Sequence, residues 1–177
     1  MIALLPCRLP ALARLLVLWM GLAGLAAGAD EPTRLSPFEL TDQFGTTNRV
    51  EFPRSRPLLL LIGDRRGSEE VDAWIEPLKQ RWSNLADLAG IADVSAAPRF
   101  VRGRIVEGIR RQRPRPLMLD FEGQVTAPLH CTAKTANLLV VARDGRLLVR
   151  FTGKPDDTKL AAVGAALASP AAGSNAR

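Results

Sequence analysis

An unbroken run of aliphatic residues, Leu58 to Ile62, constrains the fold of this chain more than any other feature. Pro57 precedes the run, and Gly63 and Asp64 follow it, so turn-forming residues bound it on both sides. A strand with one wet face alternates apolar and polar residues, whereas a continuous apolar run of this length is typical of a strand buried on both faces. The run therefore predicts the central strand of a sheet that is covered on both sides.

Shorter patterns predict the other strands of the fold. Alternating apolar and polar residues flank a turn at Gly45 and indicate a hairpin. A second hairpin turns at Asp144-Gly145, a pair that suits a tight turn. The predicted strands, besides the central one, are residues 38–41, 49–52, 88–94, 116–121, 137–142 and 146–151.

Three segments have the spacing of helices. The clearest begins at Ser68, which can cap it, and its apolar stripe recurs at helical spacing. A second helix near residues 100–109 is expected to bury one face and to expose the other. A last helix follows a cap at Asp156 or Asp157. The residues expected to be buried are Val71, Trp74, Ile75, Leu78 and Trp82 in the first helix, Val101, Ile105 and Ile109 in the second, and Leu160, Val163 and Leu167 in the last. Strands that alternate with helices and close on a hairpin and a helix predict a three-layer α/β domain with a mixed sheet.

The N-terminus has the pattern of an export signal. Arg8 and Arg14 precede an uncharged apolar run that ends in Ala27-Gly28-Ala29, the small residues that a signal peptidase accepts. We expect a signal peptide over residues 1–29, one domain over 30–168 and a disordered tail over 169–177. The run is shorter than the ~17–25 apolar residues of a membrane-spanning helix, so we expect no transmembrane helix after cleavage; the alternative is an uncleaved N-terminal anchor. The predicted location is periplasmic or secreted.

Charge and cysteine content narrow the possible functions. The net charge of +6 falls to +4 once the two arginines of the leader are removed, which favours anionic surfaces without requiring nucleic acid, and we expect none. Cys131 is then the only cysteine, and the single histidine, His130, precedes it. One cysteine cannot form an internal disulfide, so stability must come from packing.

Three stretches carry a resemblance to a known family: Phe38 to Gly45, Leu58 to Glu70, and Leu138 to Gly153. They resemble the opening hairpin, the strand and first helix, and the last hairpin of the thioredoxin-like superfamily, in particular its exported redoxin branch. Together with Pro116 to Val125 and the missing cysteine pair, they are similar to the YtfJ-type periplasmic proteins. The resemblance implies a thioredoxin-like three-layer sandwich with a mixed central sheet.

The chain departs from redox-active members of that family at two positions. Such members carry Cys-x-x-Cys where the first helix begins, because a helix N-terminus favours the attacking thiolate. The corresponding stretch here, Arg65 to Glu69, has no sulfur, and the Ser68 hydroxyl is too weak an acid to replace a thiol without an adjacent base. Those members also place a cis-proline where this chain has Ala136. A cis bond before alanine costs about 2.5–4 kcal/mol, so we expect a trans bond there.

Cys131 and His130 have two interpretations. Neighbouring residues on an extended chain point to opposite faces, so they do not readily share a proton, and Cys131 is then a small apolar residue beside a surface imidazole. The alternative is a one-cysteine redoxin in which Cys131 forms mixed disulfides with a partner. That activity needs an exposed thiol of lowered pKa.

Arginines mark two candidate binding surfaces. Arg65, Arg66 and Ser68 lie where the first helix begins, a place that suits an anion. A second set of seven arginines surrounds the predicted second helix and has two interpretations. It is either the solvated face of that helix or a basic patch for lipid headgroups, envelope polymers or an acidic protein. The seven are Arg99, Arg102, Arg104, Arg110, Arg111, Arg113 and Arg115, of which Arg102, Arg110, Arg111 and Arg113 are the candidate site residues.

The sequence contains no motif for a metal site or for a phosphate-binding loop. The one histidine and the one cysteine that follow the predicted leader cannot supply the four ligands of structural zinc, and no loop has the acidic spacing of a calcium site. Gly63 to Gly67 lacks the Lys-Ser/Thr of a phosphate-binding loop. We therefore expect no metal and no cofactor. The predicted function is that of an exported thioredoxin-fold protein without dithiol exchange, which binds an envelope protein or an anionic surface; the alternative is an enzyme that acts through Cys131.

Overall fold

The computed structural model describes residues 34–173, and the predicted leader, residues 1–29, lies outside them. Residues 32–177 form one of two compact units of the chain. Two strands, β1 (Phe38–Thr41) and β2 (Thr47–Val50), pair antiparallel as the first hairpin. The turn between them lies at Gly45, whose φ of 85° is a backbone conformation that glycine adopts without strain. The predicted opening hairpin is therefore confirmed.

A mixed five-stranded sheet forms the centre of the domain, in the order β5-β4-β3-β6-β7. The aliphatic run forms its middle strand, in which every residue is buried. It is parallel to β4 and antiparallel to β6, while β5 and β7 form the two edges. The strands are β3 (Leu58–Gly63), β4 (Asp87–Asp93), β5 (Met118–Asp120), β6 (Asn137–Val141) and β7 (Leu147–Thr152).

Within residues 34–173, four α-helices accompany the sheet. They are α1 (Ser68–Trp82), α2 (Arg102–Gln112), α3 (Asp157–Ala168) and the short α4 (Pro170–Gly173), and a 3-10 turn over Arg99–Val101 leads into α2. The side chain of Asp156 accepts a hydrogen bond from Lys159 N and caps α3, as predicted. The expected disordered tail is thus helical over 170–173, where Ala172 is buried, and residues 174–177 lie outside the described part.

Alternate residues of β3 enter two separate cores. Leu59 and Leu61 face α1 and α3 and pack with Trp74 and Val163; we call this cluster the helix-side core. Leu58, Leu60 and Ile62 face the opposite side of the sheet. They pack with residues of the first hairpin and of the loop after β5, and we call this cluster the hairpin-side core. The period-2 alternation of a strand explains how one apolar run serves both faces.

The position of α2 differs from the prediction. Val101, Ile105 and Ile109 were expected to be buried, but they are half-buried, and no residue of α2 is buried. Within residues 34–173, no α2 residue belongs to either core. The reason is that α2 lies at the edge of the sheet beside β5, above a cleft of about 480 Å³. An edge position covers less of a helix than a sheet face does.

Candidate functional site

The site implied by the sequence lies where α1 begins, and its cap differs from the prediction. Gly67 is the N-cap residue, and the hydroxyl of Ser68 donates to Arg65 O at 3.0 Å instead of accepting from the helix. No side-chain cap hydrogen bond is formed at this helix start within residues 34–173. Asp64, four residues before Ser68, instead orders the loop that leads into α1, since its Oδ1 accepts from the backbone N–H groups of Arg66 and Gly67, each at 2.8 Å.

The carboxylate of Asp64 also reaches the loop between β5 and β6. Its Oδ2 accepts from Lys134 N at 2.7 Å, and Lys134 has a φ of 65°, in the left-handed region that few side chains adopt. Burial alone would raise the pKa of Asp64, but hydrogen bonds from Gly67, Lys134 and Arg66 outweigh it and lower that pKa below its usual value. The ionised carboxylate therefore holds the loop in this conformation.

Glu70 makes a second link between the same two segments. Its carboxylate accepts from the hydroxyl of Thr135 and from Ala136 N at 3.0 Å. The hydrogen bond from Thr135, followed by that from Ala136 N, lowers the pKa of Glu70. One carboxylate on each side of Gly67 thus ties the start of α1 to the loop at residues 134–136.

Backbone packs against backbone between these two links. A Cβ atom placed on Gly67 would lie 2.5 Å from Thr135 O and 2.6 Å from Thr135 C, so no residue with a side chain fits without a shift. The Thr135–Ala136 bond is trans, because the only cis bond within residues 34–173 precedes Pro53. The start of α1 is therefore closed by a backbone contact, and the stretch from Arg65 to Glu69 contains no sulfur.

Arg65 and Arg66, the predicted anion-binding residues, are both exposed beside this contact. The carboxylates of Asp64, Glu69 and Glu70 lie in the same short stretch of sequence. Glu69 is exposed, and the other two bind the loop N–H groups described above. These carboxylates offset the charge of the two arginines. Two N–H groups of the loop are already occupied by Asp64. The anion site at Arg65, Arg66 and Ser68 stays a prediction.

Cys131 lies apart from the α1 contact, against the hairpin-side core. It is half-buried, and burial raises the pKa of its thiol to about 11, although Arg150 acts in the opposite direction. At pH 7 a thiol of this pKa is about one ten-thousandth thiolate, and the thiolate is the reactive form. His130 is exposed, with a φ of 48°. Cys131 therefore occupies the environment of a small apolar residue.

The four candidate arginines of the basic patch all make contacts within the protein. Arg102 binds the Glu122 carboxylate and donates to Phe121 O at 3.0 Å, with its guanidinium 5.0 Å from the centre of the Phe121 ring. Arg113 binds both carboxylate oxygens of Asp72 in α1. These two ion pairs fasten the two ends of α2, so much of the expected patch is structural.

The other two arginines of the set remain closer to the surface. Arg110 donates through Nε to Gln43 O at 2.9 Å and lies 3.6 Å from Glu107. Arg111 lies 3.2 Å from the same carboxylate and is mostly exposed. Arg99, Arg104 and Arg115 form no ion pair within residues 34–173. Fewer of the seven arginines are therefore free of ion pairs within residues 34–173 than the sequence indicated. The unpaired ones are Arg99, Arg104 and Arg115, and none of them is among the four candidate site residues.

Gln43 is a structural residue that the sequence analysis missed. Its side chain is fully buried, and its Nε2 donates to Arg113 O at 3.0 Å and to Arg115 O at 2.7 Å. Its Oε1 accepts from Leu117 N at 2.8 Å. All three bonds go to the segment between α2 and β5, which places that segment. A glutamine in a polar turn gives no sequence signal of such a role, since it has the composition of a solvated loop.

No metal site or membrane span is found in the described part of the chain. Within residues 34–173, no three His, Cys, Asp or Glu side chains come together as metal ligands. No helix in the same range is both long and apolar enough to cross a membrane. The expectation that the protein uses no metal or cofactor stays a prediction.

Comparisons with known proteins show which solved structures share this fold. No family model and no curated protein matches the chain. Among solved structures it is similar to the exposed lipoprotein thioredoxin Etrx1 of Streptococcus pneumoniae, at 12% identity and a TM-score of 0.60, over 73% of this chain and 99% of that one.

Two further solved structures agree with this result. StoA of Bacillus subtilis is 14% identical, with a TM-score of 0.57, over 75% of this chain and 99% of that one. The peroxidoxin BcpB of Mycobacterium tuberculosis is 21% identical, with a TM-score of 0.53, over 76% and 96%. The chain therefore has a thioredoxin-like fold, and its structural neighbours are redoxins.

Proposed function

We propose that this chain is an exported thioredoxin-fold protein that does not exchange dithiols and instead binds a partner or an anionic surface in the cell envelope. The contact between Gly67 and Thr135 is the observation that carries the proposal. It closes the start of α1, where the resemblance to redoxins would place a dithiol, and the stretch from Arg65 to Glu69 contains no sulfur. The similarity to YtfJ-type periplasmic proteins, which comes from the sequence, belongs to the same proposal.

The environment of Cys131 supports the same conclusion. A thiol acts as a nucleophile or as a peroxide-reducing group through its thiolate. Burial beside the hairpin-side core raises the thiol pKa and outweighs the opposite effect of Arg150, and the carboxylates of Asp93 and Asp120 raise it further. A reactive cysteine needs the opposite arrangement, with cations close by and access to water.

Turnover assays test the proposal against the one-cysteine enzyme. The wild-type protein and Cys131→Ser are compared in the reduction of insulin by dithiothreitol and in the consumption of hydrogen peroxide. We expect both proteins to give the uncatalysed rate in both assays. Turnover by the wild type that is lost in Cys131→Ser, together with a mixed disulfide at Cys131, would establish the enzyme and refute the proposal.

A further inference from the structure

The 3-10 turn that leads into α2 carries an exposed aromatic ring. Within residues 34–173 three large hydrophobic side chains are exposed, and Phe100 is the most exposed of them, at 87%, compared with 60% for Leu85 and 45% for Phe44. Phe100 is the middle residue of the 3-10 turn Arg99–Val101, so regular backbone fixes its position. A single exposed ring is common on protein surfaces, so its meaning depends on the residues around it.

Three exposed arginines adjoin this ring in the sequence or follow it along α2. Arg99 adjoins Phe100, and Arg104 lies one helical turn further along; both are exposed and neither forms an ion pair within the described residues. Arg111 stands two turns beyond Arg104, on the same face of α2, since seven residues complete two turns. Its carboxylate partner, Glu107, is shared with Arg110. We call Arg99, Phe100, Arg104 and Arg111 the Phe100 face.

The helix itself neutralises only part of the charge of the Phe100 face, through the pair of Arg111 with Glu107. The first turn of α2 contains no acidic residue. Arg102 and Arg113, which hold the helix in place, pair with Glu122 and Asp72. Arg99 and Arg104 are thus the two arginines of the face that form no ion pair within residues 34–173. They concentrate positive charge beside the exposed ring.

From this arrangement we infer that the Phe100 face binds the surface of an anionic lipid bilayer. Guanidinium groups form paired hydrogen bonds with phosphate, and an aromatic ring is stable at the boundary between headgroups and acyl chains. A protein partner would instead require further apolar contacts around the ring to exclude water. Phe100 is the only large hydrophobic side chain exposed on this face. The inference rests on the proposed envelope function and names the surface that is bound.

Vesicle binding tests the inference directly. The chain begun at Asp30, which contains every described strand and helix, is sedimented with phosphatidylcholine vesicles that contain one third phosphatidylglycerol. We expect the double variant Phe100→Ala/Arg104→Gln to lose binding by about tenfold or more relative to the wild type. The matched control, Leu85→Ala/Arg81→Gln, removes an exposed hydrophobic residue and an exposed arginine elsewhere and should bind like the wild type.

Each other outcome overturns the inference in a distinct way. An equal loss in both double variants would mean that binding follows overall charge and not this face. No binding of the wild type to these vesicles, with binding to polyglutamate instead, would favour an acidic protein. Both results would leave the proposed lack of Cys131-dependent turnover intact, because the insulin and peroxide assays measure it separately.

Discussion

Gly67 is the residue on which the closed contact at α1 depends. Replacing it with alanine places a Cβ atom within 2.5–3.0 Å of the Thr135 backbone, which cannot move as a flexible side chain can. We expect Gly67→Ala to lower the free energy of unfolding by about 1–3 kcal/mol, as overpacking does in cores. Urea unfolding followed by circular dichroism measures the change.

A second glycine provides the control for this substitution. Gly108 lies inside α2, and a Cβ atom there meets nothing within 4 Å. Because alanine favours a helix more than glycine does, Gly108→Ala should raise the free energy of unfolding by about 0.5–1 kcal/mol. If Gly67→Ala were as stable as the wild type, the contact would be looser than described, and the closed site would lose its basis.

The ionised Asp64 gives stability a defined pH dependence. Its pKa in the folded protein lies below the ordinary value of 3.8, so its hydrogen bonds stabilise the fold above that pH. This contribution disappears as the pH falls through the lowered pKa, because the protonated carboxyl no longer attracts the three N–H groups as strongly.

Asp64→Asn tests this assignment. The variant should be less stable than the wild type at pH 7, because an amide is a weaker acceptor than a carboxylate for the N–H groups of Gly67, Lys134 and Arg66. The difference should shrink progressively below pH 4 in urea titrations at several pH values. A difference that stayed constant down to pH 2 would show that the charge of Asp64 is not what holds the loop.

At the scale of elements, α2 is attached by its ends and not by its middle. Ion pairs from Arg102 and Arg113 fix the two ends, Gln43 holds the segment that follows, and no α2 residue is buried. Helices with few buried apolar contacts open locally at low free energy. The helix can therefore separate from the sheet without loss of either core.

Hydrogen exchange measures this difference between helices. We expect the amides of α2 to exchange faster than those of α1, whose Trp74 and Leu78 are buried in the helix-side core. Arg113→Gln, which removes the pair with Asp72, should increase the exchange of α2 further while leaving α1 unchanged. Equal protection of the two helices would contradict the description of α2 as an edge element.

The strands and helices were largely predictable because their signals are local. The apolar run predicted β3, Asp144-Gly145 predicted the turn before β7, and Asp156 predicted the start of α3. The burial of α2 was not predictable, since its apolar spacing is the same whether the helix lies on a sheet face or at an edge. The partners of its arginines depend on Asp72 and Glu122, which are distant in sequence.

The closed contact at α1 was predictable only in part. The absence of sulfur between Arg65 and Glu69 is visible in the sequence, but the approach of Gly67 to Thr135 is not. Ser68 was expected to cap α1, but its hydroxyl donates to Arg65 O, and the carboxylate of Asp64 orders the loop before the helix instead. These hydrogen bonds depend on the path of the loop between β3 and α1, which residue preferences alone do not determine.

At the scale of the whole molecule, the sequence predicts an export signal that precedes the described domain. We expect a bacterial host to export the protein and to remove residues 1–29. Mass spectrometry of the periplasmic fraction should find Asp30 as the first residue; a chain that keeps residues 1–29 and stays with the membrane fraction would support the anchor instead.

The chain has a thioredoxin-like fold in which Cys131, the only cysteine of residues 34–173, lies in an apolar environment. The alkylation rate of Cys131 by iodoacetamide as a function of pH tests this claim most directly, because the rate follows the thiolate fraction. We expect the rate in the native protein to rise by about tenfold per pH unit through pH 9, as a thiol pKa of about 11 requires. A rate that already levels off below pH 8 would reveal an activated thiol and contradict the account.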